Sequence, residues 1–284
     1  ALLLLVERYL RAGGIEQKSK HNLAPILHKP TPLMQGVILI ISSLPFLIGF
    51  VLPVVLLIIF SLGRFENADG LFSAATRSIV LASATAIIVV GIGLFLAFLT
   101  RINTPGWLNK SIQTASLGYA IPGTVLGLGV LIVLSQFDNF SSQLLNLSFL
   151  PILSGSLFAL IFAYSLRFLS ISFGTFEAEL SRIPKTTDMA ASTLGARTFQ
   201  LLRLVHLPML RPALITASVL IFVDTIKELP ATLILRPFNF ETLATQVYNY
   251  ASVGQIEDAA LPALIIVGVG IIPVFVATRK LHKL

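Results

Sequence analysis

The sequence predicts an all-α integral membrane protein with about six transmembrane helices. Only 12% of its 284 residues are charged, 55% are hydrophobic, and the mean hydropathy is +0.89. A soluble domain usually carries about 25% charged residues, so this chain has too few charges to cover a surface of its size. The composition disfavours a soluble enzyme, a disordered segment and a nucleic-acid binder. The charge-free runs and the placement of the basic residues indicate the same class.

Five runs without charge are long enough to cross a bilayer. A transmembrane helix needs about 20 apolar residues, whereas the buried helices of soluble proteins are usually shorter. We therefore predict spans near 36–60, 79–99, 112–135, 149–173 and 260–277. A sixth predicted span covers 213–235, which is apolar except for Asp224, Lys227 and Glu228.

The basic residues test this layout, because lysine and arginine accumulate in loops on the cytosolic side. If the loops alternate, the segments on one side hold 15 of the 20 basic residues and those on the other side hold three. The richer set comprises 7–34, 100–111, 174–212 and 278–284. The bias predicts that both termini and the 174–212 segment face the cytosol. It also attributes the net charge of +7 to topology and contact with anionic lipid, not to nucleic-acid binding.

The chain opens with Ala1 and the apolar letters ALLLLV, which are too short for a span or a signal peptide. A frayed terminus is one interpretation. We favour another, in which residues 1–6 are the tail of a preceding transmembrane helix. Residues 7–34, rich in charge, glycine and proline, then form a cytosolic linker. The transmembrane domain covers 35–284, with a core over about 74–277.

Motifs for catalysis and cofactor binding do not occur in the sequence. There is no G-x-x-x-x-G-K-[ST] motif, so no P-loop for ATP is predicted. The four histidines lie away from acidic residues at metal-ligand spacing, and the chain has no cysteine. We therefore predict no catalytic residue, no metal site and no cofactor in this chain. The pattern Gly123-x-x-x-Gly127 predicts close helix packing in lipid instead.

The 174–212 segment is too long and too apolar for a simple connector. Thr186 or Thr187 is a candidate N-cap for a short helix that ends at Leu194. Gly195 then allows a turn that a Cβ atom would oppose.

A second helix is predicted from about Ala196. It carries Phe199, Leu202 and Val205 on one face, and Pro208 stops it. The two short helices predict either a compact projection on the cytosolic side or an amphipathic segment that lies on the membrane.

One motif in this segment resembles the EAA motif of permeases in type I ABC importers, the binding-protein-dependent, MetI-like class. That motif reads Glu-Ala-Ala, three residues, Gly, nine residues and then Ile-x-Leu-Pro. The matching residues here are Ala190, Ala191, Gly195, Val205, Leu207 and Pro208. Met189 stands where the family has the glutamate, and Asp188 precedes it.

In that family the motif forms the coupling helix that docks into a groove of the ATPase subunit. The resemblance implies that residues 188–208 transmit ATP-driven motion to the transmembrane helices. It implies a cytosolic ABC ATPase dimer, which carries the ATP and Mg, and an extracytoplasmic solute-binding protein. A second transmembrane half, fused or separate, and a place in the bacterial inner membrane are also implied.

The stretch 224–274 is similar to the C-terminal half of ferric-iron ABC permeases, which often fuse two halves in one chain. The likeness covers most of 36–280 and is most specific over 183–274. It implies ferric iron as the cargo. Permeases for thiamine, polyamines, sulfate or phosphonate share the fold and the loop, so they are alternatives.

Three charges interrupt the sixth predicted span, and each would cost about 2.5–3.5 kcal/mol if it faced lipid at the helix centre. A pair between Asp224 and Lys227, three residues apart, lowers that cost. Pro230, close to Glu228, cannot donate a hydrogen bond to the preceding turn. These features predict a wall or gate of a translocation path, or else a span that ends near Val223 with its charges at the outer interface.

Other interpretations give these residues different roles. An ion-coupled secondary carrier would use the three charges as a relay, whereas a membrane scaffold would not need them. Arg167, late in its predicted span, is expected to snorkel to the cytosolic side. A ferric ion prefers oxygen ligands, and the chain offers no dedicated cluster of them. The outer loop 236–259 is either a surface for the solute-binding protein or an ordinary solvated loop.

Overall fold

The computed structural model describes residues 31–62, 70–102, 105–145 and 153–281. In these ranges the chain is helical and contains no β-strand. The predicted helix tail at 1–6 and nearly all of the predicted linker at 7–34 lie outside the described residues. The helices are α1 (Pro32–Ser61), α2 (Leu71–Arg101), α3 (Gly106–Ala115), α4 (Gly123–Leu145), α5 (Leu157–Arg182), α6 (Lys185–Thr193), α7 (Thr198–Met209), α8 (Arg211–Ile226), α9 (Pro230–Leu235), α10 (Leu243–Ser252) and α11 (Ile256–Leu281).

Five of these helices are long and apolar enough to cross a membrane, namely α1, α2, α4, α5 and α11. A sixth is counted if α7 and α8, which meet at a bend of 76°, form one broken span. The predicted all-α membrane fold with about six spans is therefore confirmed. Most of α1 belongs to a separate compact unit that ends at Ile59. It is a 30-residue apolar helix with a π-helical turn at Leu47–Val51, next to the helix-interior Pro45.

The third predicted span, 112–135, has the wrong boundaries. Helix α3 ends at Ala115, a 3₁₀ turn follows at Gly118–Ala120, and α4 begins only at Gly123. Pro122 lies directly before α4, where its missing amide hydrogen leaves no hydrogen bond unmade. The chain thus enters the bundle as two helices joined by a tight turn.

The fourth predicted span, 149–173, starts and ends too early. Helix α5 begins after Ser156, whose hydroxyl accepts a hydrogen bond from the amide of Ala159 at 3.3 Å. It ends at Arg182, because Ile183 precedes a proline and adopts an extended conformation. The predicted 174–212 loop is therefore helical through residue 182.

The core of the bundle lies where α2, α5 and α8 pack together. Small side chains such as Ala82, Ala163 and Ala217 are fully buried at these contacts. Lipid gives no hydrophobic force between helices, so membrane helices associate through close packing of this kind. Tyr164 and Phe168 fill the space between the small residues.

The glycines of α4 pack against α9, as the Gly-x-x-x-Gly pattern predicts. A Cβ atom at Gly127 would lie 3.3 Å from the Cα atom of Ala231. Gly129, two residues further along the same helix, has open space around it.

We expect Gly127→Leu to destabilise the bundle by about 1–3 kcal/mol, because the new side chain collides with the backbone of α9. Thermal unfolding of the purified protein in detergent measures this loss. Gly129→Leu is the matched control and should unfold at the wild-type temperature or slightly above it. Equal unfolding temperatures for the two variants would contradict the close contact.

Candidate functional site

The first candidate site is the projection formed by residues 184–209, which we call the knob. Its first helix, α6, begins directly after Pro184, which occupies the N-cap position. The predicted caps Thr186 and Thr187 are wrong, because both lie inside the helix. Ile183, the extended residue before Pro184, ends α5. The next helix, α6, therefore begins only after Pro184.

Gly195 makes the predicted turn between the two helices of the knob. Its φ angle is +84°, a left-handed conformation that favours glycine. The amide of Ala196 donates to the carbonyl of Ala191, and the amide of Gly195 donates to the carbonyl of Ser192, both at 3.0 Å. This pair of hydrogen bonds is the Schellman motif that ends many helices.

The second helix of the knob differs from its prediction. Helix α7 contains a π-helical turn at Leu201–His206 and continues through Pro208 to Met209. Pro208 therefore does not stop the helix, and the 76° bend comes after it, at Leu210.

The predicted apolar face of α7 is also wrong. Leu201 and His206, five residues apart, are buried, whereas Phe199 is 69% exposed. A π-helical turn has more residues than an α-helical one, so the inward face moves away from the positions that an α-helical period selects.

Asp188 of the knob points inward and binds Arg101, the last residue of α2. The Arg101 guanidinium donates to the Asp188 carboxylate from Nε at 2.7 Å and from Nη2 at 3.1 Å. The same side chain donates to the carbonyls of Leu180, Ile183 and Pro184 at the end of α5. The Arg101 side chain is 9% exposed and that of Asp188 is 22% exposed, so this bridge is partly shielded from water.

His206 joins α7 to the same carboxylate. Its Nε2 atom lies 3.2 Å from Asp188 Oδ1, and its ring lies 5.6 Å from the ring of Phe98 in α2. Burial lowers the pKa of His206, and the neighbouring Asp188 opposes that shift. The buried imidazole therefore packs between Phe98 and Asp188 at the base of the knob.

The outer surface of the knob carries exposed apolar side chains among polar and charged ones such as Lys185, Arg197 and Arg203. Ala190 is exposed, Ala191, Val205 and Leu207 are partly buried, and Pro208 is exposed. Exposed apolar patches rimmed by polar residues mark protein–protein contacts or membrane contacts. The large exposed apolar side chains are Met189 (65%), Leu194 (89%), Phe199 (69%), Leu204 (67%) and Met209 (50%).

The second candidate site is the break in the sixth predicted span. Helix α8 ends at Ile226 and α9 begins at Pro230, so 213–235 is not one continuous helix. Pro230 occupies the first turn of α9, where a missing amide hydrogen costs little. Asp224, Lys227 and Glu228 therefore lie at the end of α8 and in the break.

The charges at this break form two ion pairs. Lys227 Nζ lies 2.8 Å from Asp224 Oδ1, which is the predicted pair. Glu228 pairs instead with Arg167 of α5, with 3.5 Å between Oε2 and Nε. We call these four residues the charge cluster.

The prediction that Arg167 snorkels to the cytosolic side is wrong. Arg167 lies ten residues after the start of α5 and fifteen before its end, about 15 Å and 22 Å along the helix. At these distances the Arg167 side chain does not reach either end of the helix. A charge that stays within the bilayer needs a partner in the protein. Glu228, whose side chain is 8% exposed, supplies that partner.

Other segments converge on Arg167 and Glu228. The Tyr119 ring lies 5.9 Å from the guanidinium carbon of Arg167. A Cβ atom at Gly123 would lie within 2.7 Å of both Arg167 and Glu228, so α4 begins directly against the pair. Within the described ranges, no three His, Asp or Glu side chains are grouped closely enough to hold a metal ion. The charge cluster itself contains two acidic and two basic side chains, so its formal charges cancel.

We expect Arg167→Ala to destabilise the protein by about 3–5 kcal/mol, because it leaves Glu228 buried without a counter-ion. Adding Glu228→Ala should recover part of this loss, with a coupling energy of about 0.5–3 kcal/mol. Thermal unfolding of the two single variants and the double variant measures the coupling. Lys227→Ala is the control, because that side chain is 62% exposed and its pair contributes at most about 1 kcal/mol. Additive effects of Arg167→Ala and Glu228→Ala would show that the pair is not formed.

The comparisons with known proteins agree with this architecture. No protein-family model matches the chain. PhnV of Salmonella typhimurium, a permease protein named for 2-aminoethylphosphonate transport, is 25% identical over 250 residues, which cover 81% of this chain and 88% of PhnV. The Fe(3+)-transport system permease protein FbpB 2 of Haemophilus influenzae is 26% identical over 246 residues, which cover 84% of this chain and 46% of that protein. HVO_B0370 of Haloferax volcanii, named for a molybdenum ABC transporter permease, is 28% identical over 214 residues, which cover 74% of this chain and 76% of that protein.

Solved structures show the same fold. A chain of the bacterial alginate ABC transporter superposes with a TM-score of 0.71 at 15% identity, covering 88% of this chain and 94% of that one. A chain of the MetNI methionine ABC transporter superposes with a TM-score of 0.55 at 16% identity, covering 76% of this chain and 98% of that one. The predicted resemblance to ABC importer permeases is confirmed.

Proposed function

We propose that this chain is the transmembrane permease subunit of an ATP-driven importer and that the knob is its coupling element. The observation that carries the proposal is the knob itself, a small projection with an exposed apolar surface and a buried ionic base. A docking element needs both properties, because its surface must fit a partner while its base resists deformation. The EAA-like residues lie in this projection, and the chain has no P-loop of its own.

The two parts of the EAA-like motif have different roles in this proposal. Met189, Ala190 and Ala191 belong to the docking helix, where small side chains allow the surface of an ATPase subunit to come close. Asp188 holds that helix from below through Arg101. Val205, Leu207 and Pro208 support the helix from α7, and Gly195 sets the angle between the two. ATP and Mg bind the partner ATPase dimer, so this chain supplies no catalytic residue.

The charge cluster supplies the wall of the translocation path in this proposal. Asp224, Lys227, Glu228 and Pro230 lie where α8 gives way to α9, and a break in a membrane helix is tolerated where it lines a cavity or is covered by protein. Lys227 is largely exposed, whereas Glu228 is buried against Arg167. At the break, the Asp224–Lys227 pair is therefore partly exposed, whereas the Arg167–Glu228 pair is largely buried.

Ferric iron is the cargo that we propose first, with delivery by an extracytoplasmic solute-binding protein. The Fe(3+)-transport relative FbpB 2 supports this choice. The relatives named for 2-aminoethylphosphonate and for molybdenum give the alternatives to test. Because the chain covers 46% of FbpB 2, we include a second transmembrane half among the partners. The location is the bacterial inner membrane, with both termini of this chain in the cytosol.

Uptake assays test the proposal. We expect cells that carry the intact transporter to take up one of three probes, radioactive ferric iron, 2-aminoethylphosphonate or molybdate. Deletion of the ATPase subunit should abolish that uptake. An uncoupler added while ATP is held constant should leave it unchanged. Uptake that persists without the ATPase, or that stops with the uncoupler alone, would overturn the proposal in favour of an ion-coupled carrier.

Gly195→Leu is expected to lower ATP-driven uptake at least tenfold, because a leucine at a φ of +84° strains the turn and tilts the docking helix. Gly195→Asn is the matched control, since asparagine tolerates the left-handed conformation, and it should keep most of the uptake. Co-purification of the ATPase subunit shows whether docking is lost. Pro208→Ala should have a smaller effect than Gly195→Leu. Wild-type uptake and ATPase association in Gly195→Leu would contradict the role of the knob.

A further inference from the structure

We infer that Arg101 is the positioning residue through which the knob moves the membrane-spanning bundle. The inference rests on the proposed function. It adds a route for the motion that runs through a residue outside the EAA-like motif. Arg101 lies 87 residues before Asp188 and outside the motif. In this route, displacement of α6 reaches α2 through the Arg101–Asp188 bridge.

The geometry of the guanidinium fits this role. Arg101 binds the Asp188 carboxylate with two nitrogens, and a bidentate contact of this kind fixes orientation as well as distance. Its remaining contacts are the carbonyls of Leu180, Ile183 and Pro184, where α5 ends and α6 begins. One planar group thus joins the ends of α2 and α5 to the first turn of α6.

The peptide chain itself does not make this connection. It joins the knob to α5 through Ile183 and Pro184, and to α8 through the bend at Leu210. Helix α2 is in the centre of the bundle, where it packs against both α5 and α8, yet it has no covalent link to the knob. The non-covalent bridge at Arg101 is therefore what couples α2 directly to the docking helix.

The last two turns of α2 hold both helices of the knob. Arg101 binds α6 through Asp188, and Phe98, three residues earlier, contacts the ring of His206 in α7. His206 is also 3.2 Å from the Asp188 carboxylate, so α6 and α7 meet at one acid. The side chains of Arg101, His206 and Asp188 are 9%, 0% and 22% exposed, so these contacts are largely buried. The knob and the end of α2 consequently move as one body.

The test compares variants in the intact transporter, with the cargo probe that the wild type takes up. Arg101→Gln removes the positive charge and the bidentate contact with Asp188. It is expected to lower uptake at least tenfold. ATP hydrolysis and ATPase co-purification should stay within about twofold of wild type. Arg101→Lys keeps the charge without the bidentate fork, so it should recover an intermediate rate. Arg182→Gln is the matched control, because that arginine is 75% exposed and pairs only locally with Glu179, and its uptake should equal that of the wild type.

A distance measurement separates transmission from folding. The sequence has no cysteine, so spin labels at Thr198→Cys on the knob, outside the docking helix, and at Phe72→Cys at the far end of α2 report on these two exposed positions. Each label is paired with a second label on a fixed position of the ATPase subunit. ATP should shift both distances in the otherwise wild-type protein, and only the knob distance in Arg101→Gln.

The outcomes are decisive in either direction. Wild-type uptake in Arg101→Gln, or an unchanged shift at Phe72→Cys, overturns the inference while leaving the proposed function intact. Absence of ATP-driven uptake in the wild type itself would instead overturn the proposed function. If Arg101→Gln fails to insert or to bind the ATPase, Asp188→Asn decides, because it removes the charge and keeps the shape. Wild-type coupling in Asp188→Asn then overturns the inference, and uncoupled ATP hydrolysis supports it.

Discussion

A polar group inside a bilayer has to find its partner within the protein, and the structure is organised around that constraint. Arg167 lies far from either end of α5, and it meets Glu228 at the break between α8 and α9. Asp138 is the single charged residue between positions 111 and 166. It accepts hydrogen bonds from the amides of Leu153 and Ser154 in the turn before α5. Each of these contacts ties together segments that are distant in sequence. The requirement for partners thus adds to the close packing of small side chains in fixing which segments are neighbours.

The same constraint explains where helices stop. Two interruptions in the bundle coincide with a proline and with side chains that bind backbone carbonyls there. Pro184 ends α5, and Arg101 donates to three carbonyls there. At the other break, the Thr232 hydroxyl donates to the carbonyl of Glu228 and accepts from Tyr164. Breaks in the helices are therefore stabilised by side chains from neighbouring segments.

Much of this fold could be predicted from the sequence, because it depends on local properties. Charge-free runs indicate spans, and the turn at Gly195 and the Asp224–Lys227 pair follow from residue type and short spacing. The ion pairs Arg101–Asp188 and Arg167–Glu228 could not be predicted, because 87 and 61 residues separate their members and a single sequence carries no signal for such contacts. The face of α7 was mispredicted for a different reason, since a π-helical turn changes the period on which the prediction depends.

The two candidate sites are mechanically connected by the helices between them. Helix α8 starts at the bend next to the knob and ends at the charge cluster, and its 16 residues span about 24 Å. Helix α5 carries Arg167 in its middle and the carbonyls bound by Arg101 at its end. A rigid helix that moves at one end has to move at the other, because packed cores do not deform continuously. In the proposed mechanism, displacement of the knob therefore reaches the charge cluster through α8, and the 3.5 Å pair between Glu228 and Arg167 is the contact that would change.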